Sequence, residues 1–202
     1  NILEKYERQG FSYLRICRFP ELLKIYDDAR IESIPMILPI DFDLEGLMNF
    51  RVHVGIPGSF SVYNALGAIA IVRHFGVSEE VINEVLKNMK VKGRVQIVPT
   101  GDDYTLVIDY AHNALSLESI LKTMRAYNPP RLVCMFGCGG NRAKSRRYEM
   151  GEVSGKMADL TVITSDNPRF EEPQDIINDI ITGIEKTDGK YIEIIDRREA
   201  IS

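Results

Sequence analysis

Apolar residues recur along most of the chain with two regular spacings. After residue 93, short apolar runs alternate with longer segments that carry apolar residues at helical spacing. Short runs bounded by turn residues predict buried strands, and a 3.6-residue period predicts helices packed on them. The predicted strands are Tyr104–Asp109, Arg131–Phe136, Leu160–Thr164 and Tyr191–Ile195, and the predicted helices are Ser116–Ala126, Tyr148–Met157, one that begins at Pro173 and one that begins at Arg197. This alternation predicts an α/β fold with a mostly parallel sheet.

The segment before residue 93 predicts one strand and two helices. Alternating apolar and polar residues predict a strand that begins at Phe50 and ends at Gly55. A first helix is predicted over Val62–Phe75, with Ser59 or Ser61 as its N-cap. Because this helix is apolar almost all round, we expect it to be buried.

Two polar residues stand out in these helices. Ser78 is predicted to cap the second helix, since two glutamates follow it in the first turn. The expected buried stripe of that helix consists of Val81, Ile82, Val85, Leu86 and Met89. Asn64 is the polar exception in the first helix, and two interpretations stay open: a buried, hydrogen-bonded structural residue or a ligand contact.

A domain boundary is predicted where the helical pattern breaks, at Val91–Arg94. It divides the chain into one domain over 1–92 and a second over 93–202. The first 50 residues predict only a short helix over Phe19–Tyr26 and a loop over Ser33–Leu38, and they indicate no function.

Composition narrows the class of protein. The chain has 202 residues, of which 45% are hydrophobic, so it can bury a sizeable core. A net charge of −4 argues against general nucleic-acid binding. No apolar run approaches the roughly 18 residues of a membrane span, and no signal peptide is visible. Cys17, Cys134 and Cys138 lack metal-site spacing, so we expect reduced thiols in a cytoplasmic protein rather than a metal site.

A glycine-rich, basic segment follows the second strand of the predicted parallel sheet. Its glycines are Gly137, Gly139 and Gly140, and its cations are Arg142, Lys144, Arg146 and Arg147. A strand that leads through a glycine turn into a helix presents backbone N–H groups to anions. The segment is neither a nucleotide P-loop nor a dinucleotide motif, because Ala143 and Arg142 stand where those patterns require glycine. The sequence therefore predicts a different kind of phosphate or carboxylate site, with a merely solvated basic loop as the alternative.

Three loops are expected to meet at one edge of the predicted sheet: Asp109–His112, Gly137–Arg147 and Ser165–Arg169. Strand-to-helix loops of a parallel sheet emerge together, and ligands of open α/β folds bind there. Each loop also has a plain structural interpretation. Asp109 and Ser165 could cap helices, and His112 could be a surface residue.

Five motifs in order resemble the Mur ligases, and within that family the members that add diaminopimelate. They are Val62-Tyr63-Asn64-Ala65-Leu66, Gly93-Arg94, Asp109-Tyr110-Ala111-His112, Phe136-Gly137-Cys138-Gly139-Gly140-Asn141-Arg142 and Ser165-Asp166-Asn167-Pro168-Arg169. The resemblance implies a partial central α/β ATPase domain followed by a Rossmann-like domain with a mostly parallel sheet. It implies ATP and Mg²⁺ as cofactors, and meso-diaminopimelate and a UDP-N-acetylmuramoyl-dipeptide as substrates of an amide ligase of peptidoglycan synthesis.

The resemblance also implies roles for single residues. Nucleotide binding is implied for Asn64 at the adenine, Arg94 at the phosphates, Asp109 at the ribose and His112 nearby. Diaminopimelate binding is implied for Arg142, Asn167 and Arg169, with Asp166 in the same motif. A guanidinium binds a carboxylate through two parallel hydrogen bonds, so an arginine can distinguish diaminopimelate from lysine. The alternative for Arg169 is a structural ion pair with Glu171 or Glu172.

Departures from the family leave other functions open. The family's nucleotide P-loop and the segment with its Mg²⁺ ligands are missing here, so catalytic residues stay unassigned and this chain alone is expected to be inactive. Asn141 and Ala143 stand where aspartates are common. The alternatives are a lysine-adding, folylpolyglutamate or cyanophycin type of ligase, and a binding module without catalysis.

Overall fold

A computed structural model describes residues 30–32, 40–45, 48–98 and 104–202. The helix predicted over Phe19–Tyr26 and the loop predicted over Ser33–Leu38 lie outside these residues. The chain divides into two compact units, Asn1–Ile108 and Asp109–Ser202. Within the part of the chain that is described, no helix combines the length and apolar character needed to cross a bilayer.

The first unit contains an antiparallel sheet of strands β1 (Arg30–Glu32), β2 (Ile40–Leu44) and β3 (Phe50–Val54), in that order. The prediction of a strand at Phe50 is confirmed. The inward residues of β2 and β3 are fully buried: Phe42, Leu44, Val52 and Val54. Helices α1 (Ser59–His74) and α2 (Glu79–Asn88) both contact β3.

Helix α1 differs from its prediction in two ways. It begins at Ser59 after Gly58, without a side-chain cap, and the Ser61 hydroxyl inside the first turn donates to the Pro57 carbonyl at 3.1 Å. Its packed face buries Val62, Ala65, Leu66, Ile69 and Ala70. Tyr63 and Ile71 are about half exposed, at 52% and 54%, so the prediction of a helix buried all round is wrong. The apolar composition of α1 does not show that the rest of this unit covers only one face of the helix.

Helix α2 has the predicted cap and a narrower buried stripe. The Val81 N–H donates to the Ser78 hydroxyl at 3.5 Å. Only Ile82 and Leu86 are buried in α2, while Val81 and Val85 are exposed. A short helix resting on one edge of a small sheet covers fewer positions than its apolar stripe offers.

The strand predicted at Tyr104–Asp109 exists in a shorter form with a different partner. Strand β5 (Leu106–Ile108) pairs antiparallel with β4 (Gln96–Val98) in a separate two-stranded sheet. It is therefore outside the parallel sheet to which the alternating pattern assigned it. Consecutive strands usually become neighbours, and β4 is the nearest strand along the chain.

The second unit is built around a parallel sheet of β6 (Val133–Phe136), β7 (Leu160–Ile163) and β8 (Tyr191–Glu193). Both neighbouring pairs are parallel, as predicted. The helices of this unit are α3 (Ala114–Ala126), α4 (Ser145–Met157), α5 (Pro173–Ile184) and α6 (Arg197–Ile201). Mixed α/β architecture with helical crossovers is thus confirmed.

Helices α4 and α5 make the closest helix contact in this unit. A Cβ at Gly151 would overlap the Ile180 carbonyl, and one at Gly183 would overlap the Tyr148 carbonyl. Four isoleucines of α5 are buried: Ile176, Ile177, Ile180 and Ile184. The Ser154 and Thr161 hydroxyls share a buried hydrogen bond of 2.5 Å between α4 and β7. This packing holds the loops that follow β6 and β7 side by side.

Candidate functional site

Two loops meet at the carboxyl ends of β6 and β7. We call residues 137–144 the glycine loop and residues 165–172 the Asn-Pro loop. The Gly140 N–H donates to the Asn167 carbonyl at 2.8 Å, and the Phe170 N–H donates to the Asn141 side-chain oxygen at 3.3 Å. A Cβ at Gly140 would overlap the Pro168 carbonyl. The two loops are therefore in direct backbone contact, which only glycine permits at this position.

Each loop holds one residue in the left-handed region. Asn141 has a φ of 53° and Arg169 a φ of 54°. Asparagine tolerates this conformation, but arginine seldom adopts it, and such a residue costs about 1–3 kcal/mol. The Arg169 N–H donates to the Asn167 side-chain oxygen at 3.2 Å, which stabilises the turn. Strain of this kind is typical of sites where a side chain must point in one direction.

The basic cluster contains one buried structural cation. Arg147 is only 1% exposed, and its guanidinium donates to Glu171 at 2.7 and 2.8 Å and to Asp179 at 2.8 Å. The hydrogen bonds to Glu171 above all, and that to Asp179, raise the pKa of Arg147, against the opposing effect of burial. Its Nε is buried without a hydrogen-bond partner among the described residues. Lys144 lies 3.5 Å from Asp179.

A carboxylate of the chain itself occupies the predicted anion position. Glu171 accepts the Asn141 N–H at 2.5 Å in addition to its bonds from Arg147. These hydrogen bonds, Arg147 first and the Asn141 backbone second, lower the pKa of Glu171 to about 2. Sequence reasoning missed this role of Glu171 and Asp179, because they lie 24 and 32 residues from Arg147 and follow no local spacing rule.

Arg142 and Arg169 have a different environment from Arg147. Both are exposed, and neither guanidinium makes a hydrogen bond or ion pair with any residue that the structure describes. The alternative of an ion pair between Arg169 and Glu171 is not observed, since Glu171 pairs with Arg147. Two arginines on adjoining loops are thus available to an external anion.

Asp166 and Asn167 complete the Asn-Pro loop. Asn167 organises the loop through both its carbonyl and its side chain, which accept the Gly140 and Arg169 N–H groups. Asp166 is exposed; burial is the main cause of the raised pKa of the Cys138 thiol, and the charge of Asp166 adds to it. The site therefore combines exposed guanidinium groups with one exposed carboxylate.

The third predicted loop does not follow a strand of the parallel sheet, because β5 pairs with β4 instead. The prediction that three loops meet at one edge of the parallel sheet is therefore wrong, because only two of them follow its strands. The Asp109 carboxylate accepts the Ala111 N–H at 2.8 Å, and it is Asn113 that caps α3. The exposed His112 ring lies 5.4 Å from the Tyr110 ring, tilted by 53°. This segment presents an aromatic pair ahead of α3.

The two remaining predicted residues lie in the first unit. Asn64 is on an exposed face of α1, so the interpretation as a buried structural residue is wrong. Arg94 is exposed in the turn between α2 and β4. Among the described residues there is no group of three or more metal-binding side chains that could hold an ion.

Two of the three cysteines are described, and both are buried free thiols. Burial raises the pKa of Cys134 and of Cys138 to about 11 each. The protonated thiol is a poor nucleophile, so we expect iodoacetamide at pH 8 to modify these two cysteines only after denaturation. Peptide mass spectrometry before and after urea would measure this. Rapid alkylation of either thiol in the native chain would contradict the burial.

Comparison with known proteins identifies the family. The model of the Mur ligase glutamate ligase domain matches residues 93–202. The chain belongs to the Mur ligase family. The resemblance inferred from the five motifs is confirmed.

Relatives of this Mur ligase chain carry a more specific name. This chain is 47% identical over 151 residues to the UDP-N-acetylmuramoyl-L-alanyl-D-glutamate–2,6-diaminopimelate ligase of Caldanaerobacter subterraneus. The match covers 75% of this chain and 31% of that protein. The chain is 41% identical over 207 residues to ligase 1 of that name from Clostridium acetobutylicum, covering 100% of this chain and 42% of that protein. The chain thus spans less than half the length of these relatives.

Solved structures agree on the fold. A structure of an enzyme with the same name matches 86% of this chain and 36% of its own, with 31% identity and a TM-score of 0.55. Folylpolyglutamate synthase of Mycobacterium tuberculosis, solved with ADP, matches 85% of this chain and 38% of its own, with a TM-score of 0.69. Its sequence identity is 18%, so this second likeness concerns the fold alone.

Proposed function

We propose that this chain is the amino-acid-binding part of an ATP-dependent ligase that adds meso-diaminopimelate to UDP-N-acetylmuramoyl-L-alanyl-D-glutamate in peptidoglycan synthesis. The observation that carries the proposal is the pair of arginines Arg142 and Arg169, which have no partner among the described residues and lie on two loops in backbone contact. The names of the relatives support the same substrate.

The chemistry of the two loops suits this amino acid. Diaminopimelate carries a second carboxylate at the end where lysine has none, and a guanidinium binds it through two parallel hydrogen bonds. In our proposal Arg169 and Arg142 hold that carboxylate, Asn167 orients it, and Asp166 pairs with the neighbouring ammonium group. Lysine would leave the guanidinium groups without an anion, and sites built for a polar group reject analogues that lack it.

The other substrates are assigned by the same proposal. ATP, when bound, supplies the phosphoryl group that activates the D-glutamate carboxylate. Asn64, Arg94, Asp109 and His112 would contact the nucleotide, while the two loops orient the amine of the incoming amino acid toward the activated carboxylate. Because the described residues contain no group of three or more metal-binding side chains, we assign no Mg²⁺ ligands to them.

Two further expectations belong to the proposal. We place the domain boundary between residues 92 and 93, which is supported by the start of the matched domain at residue 93. We also propose a cytoplasmic location, because the nucleotide substrates are cytoplasmic and the described cysteines are unpaired.

Replacing Arg169 with alanine is expected to weaken meso-diaminopimelate binding by about tenfold or more, because a charge-assisted pair is lost. Calorimetric titration of this chain with meso-diaminopimelate, L-lysine and ADP would measure this. Arg131→Ala is the matched control, since Arg131 is exposed at the opposite end of β6.

The wild-type chain should bind meso-diaminopimelate more tightly than lysine, and Arg169→Ala should leave ADP binding unchanged. Equal affinity for the two amino acids would contradict the substrate and favour a lysine-adding ligase. Parallel loss of amino-acid and nucleotide binding would contradict the assignment of Arg169.

A further inference from the structure

One carboxylate connects three elements of the second unit. Glu171 belongs to the Asn-Pro loop, yet it accepts the Asn141 N–H of the glycine loop at 2.5 Å and both terminal nitrogens of Arg147 on α4 at 2.7 and 2.8 Å. Arg147 extends the connection to α5 through Asp179 at 2.8 Å. A single side chain thus joins the two loops to each other and to the helical core.

We propose that Glu171 and Arg147 are positioning residues that hold Arg142 and Arg169 at a fixed separation for the substrate carboxylate. The identity of the ligand rests on the function proposed above. The mechanical part rests on geometry alone: Asn141 directly precedes Arg142, and Glu171 lies two residues after Arg169. Together with the bond from the Gly140 N–H to the Asn167 carbonyl, the bond between Glu171 and Asn141 closes a short ring that contains Arg169 and directly precedes Arg142.

Backbone strain in both loops supports a positioning role. Asn141 and Arg169 both have left-handed φ values, which a loop keeps only when its surroundings hold it there. The Asn141 N–H is bound by Glu171 and its side chain by the Phe170 N–H. If Glu171 no longer bound this N–H, the glycine loop could relax and Arg142 would leave its position.

The charges of the positioning residues are neutralised by one another, unlike those of the arginines proposed to bind the ligand. Arg147 and Lys144 face Glu171 and Asp179, so the cations and carboxylates of the network cancel. Arg147 is buried with two carboxylate partners and does not compete for a substrate anion. An incoming carboxylate is attracted by the charges of Arg142 and Arg169. In our inference Glu171 holds these two arginines in position before the ligand binds.

The test compares Glu171→Gln with Glu172→Gln in the same chain. Both variants remove one negative charge, and the Glu172 side chain is exposed and makes no hydrogen bond to a described residue. Amide hydrogen exchange by NMR reports loop order, and calorimetry reports affinity for meso-diaminopimelate. We expect Glu171→Gln to speed amide exchange at Gly140 and Asn141 and to weaken binding of meso-diaminopimelate about tenfold. Exchange at the β6 and β7 amides should not change. Glu172→Gln should match wild type in both exchange and affinity.

Asp179→Asn separates positioning from general stability. It removes the charge of the other carboxylate partner of Arg147 but leaves the bond between Glu171 and Asn141 in place. We expect this variant to lower the melting temperature while keeping wild-type loop exchange and affinity. Loss of affinity in Asp179→Asn equal to that in Glu171→Gln would overturn the inference.

The remaining outcomes distinguish this inference from the proposed function. Unchanged exchange at Gly140 and Asn141 in Glu171→Gln overturns the inference, whatever the affinity. If wild type binds no meso-diaminopimelate, the proposed function is contradicted. In that case, faster exchange at Gly140 and Asn141 in Glu171→Gln would still support the positioning of the two loops by Glu171.

Discussion

Replacing Arg147 with alanine is expected to lower the free energy of unfolding of the second unit by about 3 kcal/mol or more. Arg147 is the largest fully buried side chain among the described residues. Its removal takes away the buried cation shared by Glu171 and Asp179 and opens a cavity between α4 and α5. Losing one partner of a buried ion pair is costly because the remaining charges keep their desolvation penalty.

Urea denaturation followed by circular dichroism would measure this loss. For a unit of this size, 3 kcal/mol corresponds to a fall in melting temperature of about 12 °C or more. Arg146→Ala is the control, because Arg146 is less buried and pairs with none of the described carboxylates, and it should change stability by about 0.5 kcal/mol or less. Equal midpoints for the two variants would contradict the structural role of Arg147.

Replacing Gly140 with alanine is expected to abolish the contact between the two loops. The new Cβ would overlap the Pro168 carbonyl. The Cβ is bonded directly to the Cα and the carbonyl belongs to the backbone, so neither atom can rotate away. Relief of such overlap typically costs about 1–3 kcal/mol and moves one loop. Displacement by about 1 Å would weaken binding of meso-diaminopimelate by roughly tenfold to a hundredfold.

Gly139 supplies the matched control for this prediction. A Cβ there would meet its nearest atom, the Asn167 carbonyl oxygen, at an ordinary contact distance of 3.7 Å. Gly139→Ala should therefore keep the wild-type amide spectrum, while Gly140→Ala should shift the resonances of residues 165–172. Thermal melts and amide spectra of both variants would measure the difference. Identical spectra for the two variants would show that the loops are not in the contact described.

Much of the second unit could be predicted from local sequence. Helix α5 begins at Pro173, as the sequence predicted, and its isoleucines at helical spacing are buried. The apolar runs before Gly137 and Ser165 predicted β6 and β7 and hence the two adjoining loops. These features depend on short-range periodicity and terminal residues, which the sequence carries directly.

The pairing partner of a strand and the buried face of a helix were harder to predict from the sequence. Leu106–Ile108 is a strand, as its composition indicates, but its partner is β4 and not the parallel sheet. The exposed half of α1 has the same apolar character as its buried half. Strand pairing and the covered face of a helix depend on which distant segments pack together, so local composition leaves both open.

By itself, the sequence determined the α/β class, the order of the elements after residue 104, the two loops and the family. Only the tertiary structure decided which member of the basic cluster is structural and which members are available to a ligand. Arg142 and Arg147 are both arginines of one segment, but Glu171 and Asp179 pair with Arg147 and not with Arg142. Ion pairing depends on distance in space, and those carboxylates approach through the packing of α4 on α5, which no local pattern records.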